Sequence, residues 1–159
     1  MTCDVHLVAS GPAWIGYGVR SFSSIIHEMI DSARNELAMT VYVISDPGTV
    51  KDIKRALERG VLVEIFIYLP DTSSAGNATK RLLQLERRYS NLTLTEIRDE
   101  ILHSKVVVSD SESVLIGSAN PTFRGLFRNY ELGLLIRDVG IAQKILLLLR
   151  RLRKKESGR

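Results

Sequence analysis

The residues of this chain best suited to chemistry sit together late in the sequence. His103 and Lys105 are two apart, ahead of the β-branched run Val106-Val107-Val108. A strand over Lys105 to Val108 would turn both side chains to one face. An imidazole beside an ammonium is disfavoured as imidazolium, so His103 reads as neutral near pH 7, a nucleophile or base, with Lys105 free to bind an anion. Further on comes Ile116-Gly117-Ser118-Ala119-Asn120-Pro121. Gly117 permits close backbone approach and Ser118 offers a hydroxyl. Asn120 followed by Pro121 has the cap-plus-first-residue pattern of a helix start, whose amides would seat a phosphate. Glu131, in Arg128-Asn129-Tyr130-Glu131, is placed to accept a hydrogen bond from the other nitrogen of a catalytic histidine and fix its tautomer.

These residues need elements to hold them, and the hydrophobic pattern supplies an α/β alternation. Val5 to Ala9 reads as a strand, followed by a loop with Gly11, Pro12, Gly16 and Gly18. Ser21 to Glu36 reads as an amphipathic helix with Ser21 as its cap. Leu37 to Ile44 and Val61 to Leu69 are strands around a helix over Pro47 to Arg59, capped by Asp46 and ended by Gly60. After a polar loop, Ala78 to Tyr89 is helical and Leu92 to Ile97 a strand. Lys105 to Val108 and Ser113 to Ile116 form a hairpin across Ser109 to Glu112, Tyr130 to Ile136 is the last strand, and Ile141 to Lys155 the closing helix. The expected fold is α/β, a mixed sheet with helices on both faces, in a single domain over residues 1–159.

Composition narrows the class. At 159 residues, 45% hydrophobic and 25% charged, the chain fits one globular domain and leaves no room for two catalytic domains. The apolar run Ile145 to Leu149 is far short of a bilayer span, and the N-terminus lacks a secretory pattern, so the cytoplasm is the expected location. Cys3 is alone, so no internal disulfide or thiolate zinc site is expected. The excess of 22 cations over 18 acids comes from the end: residues 150–159 hold six cations and one acid. The basic segment 141–159 is therefore a candidate contact for phosphate backbones or anionic membranes, or else a solvated helix end.

The spacing His103-x-Lys105-x4-Asp110-x6-Gly117-Ser118-x-Asn120 resembles the HKD signature of the phospholipase D superfamily. Six set positions would match by chance about once in a million tries. Asn129-Tyr130-Glu131 resembles the Asn-x-Glu that follows the motif in that family, and the α/β pattern is similar over nearly the whole chain. The resemblance implies that His103 attacks a phosphodiester to form a phosphohistidine while a second motif histidine protonates the leaving oxygen. It implies that Lys105, Ser118 and Asn120, with Gly117, hold the phosphate, that Glu131 orients His103, and that Asp110 is structural. No metal or other cofactor is expected. The chain holds one such motif: His6 is followed two residues on by Val8 and His27 by Met29, so both read as surface or packing residues. As in small single-motif members, a homodimer would bring two His103 side chains into one site.

The substrate is less legible. Arg20, Arg124 and Arg128 near the motif favour nucleic acid, and a non-specific, metal-independent endonuclease, DNA ahead of RNA, is the leading reading. Tyr17, Phe123, Phe127 and Tyr130 read as core or interface before stacking platform. Leu7 to Pro12 looks like the start of phospholipase-D-like proteins encoded with phage-defence systems, which would suggest a larger defence complex. The alternatives are a phospholipase or cardiolipin-type hydrolase and an inactive nucleic-acid-binding module.

Overall fold

The amides that would have continued the first helix are taken by a carboxylate from the far half of the chain, and this sets where the sheet begins. Helix α1 (Phe22–Ser32) starts at the expected cap, where Ser21 Oγ accepts from the Ser24 N–H at 3.1 Å. It stops at Ser32 because the N–H groups of Arg34, Asn35 and Glu36 donate to the Asp110 carboxylate, the shortest at 2.7 Å. Glu36 thus opens a strand instead of ending a helix. The computed structural model describes residues 4–158; Cys3 lies outside them.

Eight strands form one sheet: β1 (Asp4–Ser10), β2 (Arg20–Ser21), β3 (Glu36–Val41), β4 (Leu62–Tyr68), β5 (Leu92–Ile97), β6 (Val106–Ser109), β7 (Ser113–Gly117) and β8 (Glu131–Arg137). Their order is β2-β1-β8-β7-β6-β3-β4-β5. β3, β4 and β5 are parallel, whereas β6, β7 and β8 run antiparallel to their neighbours. Helices α2 (Pro47–Glu58) and α3 (Asn77–Arg88) lie with α1 on one face. Helix α4 (Val139–Ser157) lies on the other. The fold is therefore a mixed sheet with helices on both faces, as expected.

Successive strand residues serve opposite cores. Leu37, Met39, Ile65 and Ile67 face the three-helix side, while Ala38, Phe66 and Val108 pack with Ala142, Leu146 and Leu149 of α4. Each fully buried large side chain contributes about 1.5 to 3 kcal/mol. Among the described residues no helix is long and apolar enough to cross a membrane.

The basic end of the chain is less free than its composition suggests. Arg150 pairs with Glu36 at 2.8 Å and Glu64 at 3.1 Å, Arg153 with Glu64 at 2.7 Å, and Lys155 with Glu100 at 3.0 Å. Among the described residues, Arg150, Arg153 and Lys155 therefore bind this chain's own carboxylates. Helix α4 also leaves part of its sheet face bare: Val5, Leu7, Ile116, Leu132 and Leu134 are exposed there, with Leu7 opposite Leu134 and Leu134 opposite Ile116.

Strands β7 and β8 pair closely at their site end, with Gly117 opposite Gly133. A Cβ on Gly133 would stand 2.6 Å from Phe22 Cζ and 2.7 Å from the Ile116 carbonyl oxygen; one on Gly117 would stand 2.7 Å from the same Phe22 atom. The first residue of α1 thus fills the space two side chains would need. Gly133→Ala is expected to destabilise the fold by about 1 to 3 kcal/mol through overpacking, read as a lower urea midpoint; an unchanged midpoint would refute this packing argument.

Candidate active site

The motif residues other than Asp110 gather at one end of the strands, where β3, β4 and β7 end and β6 and β8 begin. Ligands of α/β sheets bind outside the carboxyl ends of parallel strands, here β3 and β4. Strand β6 starts one residue later than its sequence suggests, at Val106, and Lys105 lies just before it. The cause is Thr40, buried in β3: its hydroxyl donates to the Ser104 carbonyl at 2.8 Å and accepts from the Val106 N–H at 3.0 Å. One side chain thereby clamps the backbone on both sides of Lys105.

His103 and Lys105 do come together, but through an aromatic ring instead of strand alternation. Tyr42 presents its ring to His103 edge-on, with centroids 4.9 Å apart, and Lys105 Nζ sits 5.5 Å from the centre of the same ring. Tyr42 in turn stacks on Tyr68 at the end of β4, at 5.6 Å. The ammonium also donates to the His103 carbonyl at 2.7 Å. Burial pushes the Lys105 pKa below the ordinary lysine value, and the negative charge of Glu131 opposes that shift. Thr40 and Tyr42 were not singled out in the sequence. A threonine among the apolar residues Leu37 to Val41 was the available signal for the first.

From the other side, Ser118 Oγ donates to Glu131 Oε2 and accepts from the Leu132 N–H at 3.2 Å. Asn129 Nδ2 donates to Glu131 Oε1 at 3.2 Å. Both oxygens of Glu131 are thus engaged by Ser118 and Asn129, and within the chain it makes no hydrogen bond to His103. Gly117 approaches Phe22 and the β8 backbone, so its close contact serves packing. Asp110 sits at the opposite end of β6 from His103, in a turn where it and Ser111 have φ of 53° and 56°. Its three backbone amides offset the cost of that left-handed geometry.

No helix starts at Asn120-Pro121. The Pro121 carbonyl accepts from the Ser45 and Asp46 N–H groups, both at 3.1 Å, which ties this loop to the end of β3. A single π-helical turn follows at Arg124–Arg128, with Thr122 Oγ1 accepting from the Gly125 N–H at 3.0 Å. Asn120 Oδ1 is buried without a hydrogen-bond partner among the described residues. Tyr17, Phe123, Phe127 and Tyr130 are all exposed, which removes the reading of them as core. Arg20 pairs with Glu28.

His6 and His27 are occupied elsewhere. His6 meets Asp4 at 2.8 Å on β1, and His27 meets the buried Asp52 between α1 and α2. A groove of about 520 Å³ between α2 and α3 holds none of the motif residues. Among the described residues no three His, Cys, Asp or Glu side chains converge as metal ligands. This end thus offers one exposed imidazole, one ammonium kept close to a carboxylate, and a hydroxyl, an arrangement suited to holding an anion beside a nucleophile.

An eight-stranded mixed sheet that displays a His-x-Lys segment, a Gly-Ser strand end and a glutamate at one end of its strands defines a phospholipase D-like domain. Residues 26–152 match the family model described as "Cardiolipin synthase, PLD-like domain", and the chain belongs to this phospholipase D superfamily. It is 32% identical over 136 residues to cardiolipin synthase A of Buchnera aphidicola subsp. Schizaphis graminum, covering 85% of this chain and 27% of that protein. The chain thus spans little more than a quarter of the length of the curated relatives it matches. In fold it is similar to Nuc, a phospholipase D family member from Salmonella typhimurium, with TM-score 0.78, 23% identity, and 98% and 96% of the two chains covered. NucT from Helicobacter pylori superposes with TM-score 0.76 at 20% identity, covering 99% and 97%.

The electrostatic link across the site can be tested directly. Lys105 Nζ is expected to titrate below ordinary lysine, and Glu131→Gln, by removing the charge that favours the ammonium, should move it lower still. Side-chain NMR of labelled lysine would show this. An upward shift in the variant would contradict the assignment.

Proposed function

We propose that this chain is a metal-independent phosphodiesterase, acting in the cytoplasm as an endonuclease of little sequence preference, with DNA ahead of RNA as substrate. The observation that carries the reading is the convergence of exposed His103 with Lys105 and the Ser118–Glu131 pair at one open end of the sheet. His103 attacks phosphorus, the bond to the leaving oxygen breaks, and a phosphohistidine forms; water then attacks it and restores the imidazole. Lys105, with Ser118, Asn120 and the Gly117 strand end beside it, stabilises the non-bridging oxygens. Glu131 favours the ammonium form of Lys105 against the effect of burial and fixes Ser118. Asp110 holds the hairpin.

The general acid on the leaving oxygen is a second histidine, and in this reading it comes from a second copy of the chain, because His6 and His27 are both committed away from the site. The bare apolar strip Val5, Leu7, Ile116, Leu132 and Leu134 supports a homodimer, since a continuous patch of this kind marks an association surface. A role in phage defence rests on Leu7 to Pro12 alone.

A second reading is favoured by the match to cardiolipin synthase A: hydrolysis or transfer at a lipid phosphodiester. Nuc and NucT, which this chain matches over nearly their full lengths, support the nuclease reading.

Labelled single- and double-stranded DNA and RNA, incubated with protein in excess EDTA alongside a phospholipid assay, decide between them. The expected result is nucleic-acid cleavage that His103→Ala lowers by at least about 1000-fold. Turnover of lipid alone would replace this reading with the second. Light scattering should show a dimer that Leu134→Glu converts to an inactive monomer; a monomer that still cleaves would sink the shared site.

A further inference from the structure

We propose that Phe123 and Phe127, with Arg124 and Arg128, form a platform that holds a single nucleic-acid strand against the edge of the His103 site. As a statement about substrate, the inference rests on the nuclease reading. The four residues occupy or adjoin the π-helical turn, a geometry frequent at functional sites. Phe123 is 62% and Phe127 45% exposed, and their rings lie 5.4 Å apart at 36°. Residues four apart on a helical turn are neighbours, so the two phenyl groups form one ridge and the two guanidinium groups the next.

The charges are unspent. Arg20, Arg55, Arg98, Arg137, Arg150 and Arg153 each pair with a carboxylate of this chain. Arg124 and Arg128, next to the motif loop, pair with none among the described residues. Two free cations beside two open aromatic rings match the alternation of phosphate and base along an unpaired strand. Stacking on such rings is tolerant of sequence because every base has a π-face.

The turn is rigid and close to the chemistry. Leu126 is buried, and Ser10 Oγ donates to the carbonyls of Gly125 at 2.8 Å and Asn129 at 2.9 Å. A Cβ on Gly125 would stand 2.3 Å from the Asn120 carbonyl oxygen, so turn and motif loop are in direct contact. The next residue after Arg128 is Asn129, which binds Glu131. On the far side, Tyr130 meets Trp14 edge-on at 4.9 Å and extends the aromatic rim.

Binding of a fluorescein-labelled oligothymidylate to the non-cleaving His103→Ala protein, followed by anisotropy, tests the platform. Adding Phe123→Ala and Phe127→Ala should weaken binding about 10- to 100-fold, and Phe123→Trp with Phe127→Trp should retain it. Arg124→Gln with Arg128→Gln should lower the salt slope of log affinity by about 1 to 1.5. Melting curves and light scattering establish that each variant is folded and in its native oligomeric state. Unchanged affinity in the alanine variant overturns the proposal. So does loss of the dimer in that variant, which would make the patch an interface, or phenylalanine-dependent binding to phosphatidylglycerol vesicles in place of the oligonucleotide. Hydrolysis of bis(p-nitrophenyl) phosphate by the wild type tests the catalytic reading separately. If it fails while strand binding still needs the phenylalanines, the platform stands and the enzyme reading falls.

Discussion

The close pairing of β7 with β8 constrains everything at the site. Two glycines face each other there, and the Phe22 ring occupies the volume their side chains would have filled. That contact seats the start of α1 on the sheet and sets the register that places Ser118 beside Glu131 and Leu132. Because strand side chains alternate, a slip by one residue would turn Ser118 away from its partners. The site therefore depends on an apolar contact on the opposite face from α4, and its geometry is inherited from packing.

Strand β6 is held at both ends by polar side chains that make no contact with one another. At its start, Thr40 takes the place of a ladder bond and frames Lys105. At its end, Asp110 gathers three backbone amides, which stops α1 and starts β3. A buried hydroxyl or carboxylate with its hydrogen bonds satisfied is stable, whereas the same group left unpaired costs about 1 to 3 kcal/mol. Short β6 is thus located by specific polar pairings, and Lys105 follows from its position.

Charge is distributed with a pattern that composition conceals. Among the terminal cations, Arg150 and Arg153 pair with Glu36 and Glu64 and so fasten α4 to β3 and β4, while Lys155 pairs with Glu100 in the loop after β5. Exposed pairs of this kind contribute little stability each. Beside the motif, Lys105, Arg124 and Arg128 make no salt bridge among the described residues. An anionic substrate would meet its cations there.

The sequence by itself determined the alternation of elements, the caps at Ser21 and Asp46, and the family, because local hydrogen bonding and hydrophobic period act over a few residues and the motif spacing is distinctive. His103, Lys105, Ser118, Asn120 and Glu131 were all legible as candidates, and Asp110 as structural. What tertiary structure alone decided is how they meet. Thr40 lies in β3 and Tyr42 just after it, some sixty residues before His103 and Lys105, and no periodicity links them. The helix expected at Asn120-Pro121 is replaced by a loop pinned to Ser45 and Asp46, since a neighbouring strand end supplied the donors for the Pro121 carbonyl. Glu131 is engaged by Ser118 and Asn129, and the exposure of Phe123 and Phe127 follows from the π-helical turn burying Leu126 in their stead. Such contacts join residues distant in the chain, so their geometry exists after the sheet has assembled and not before.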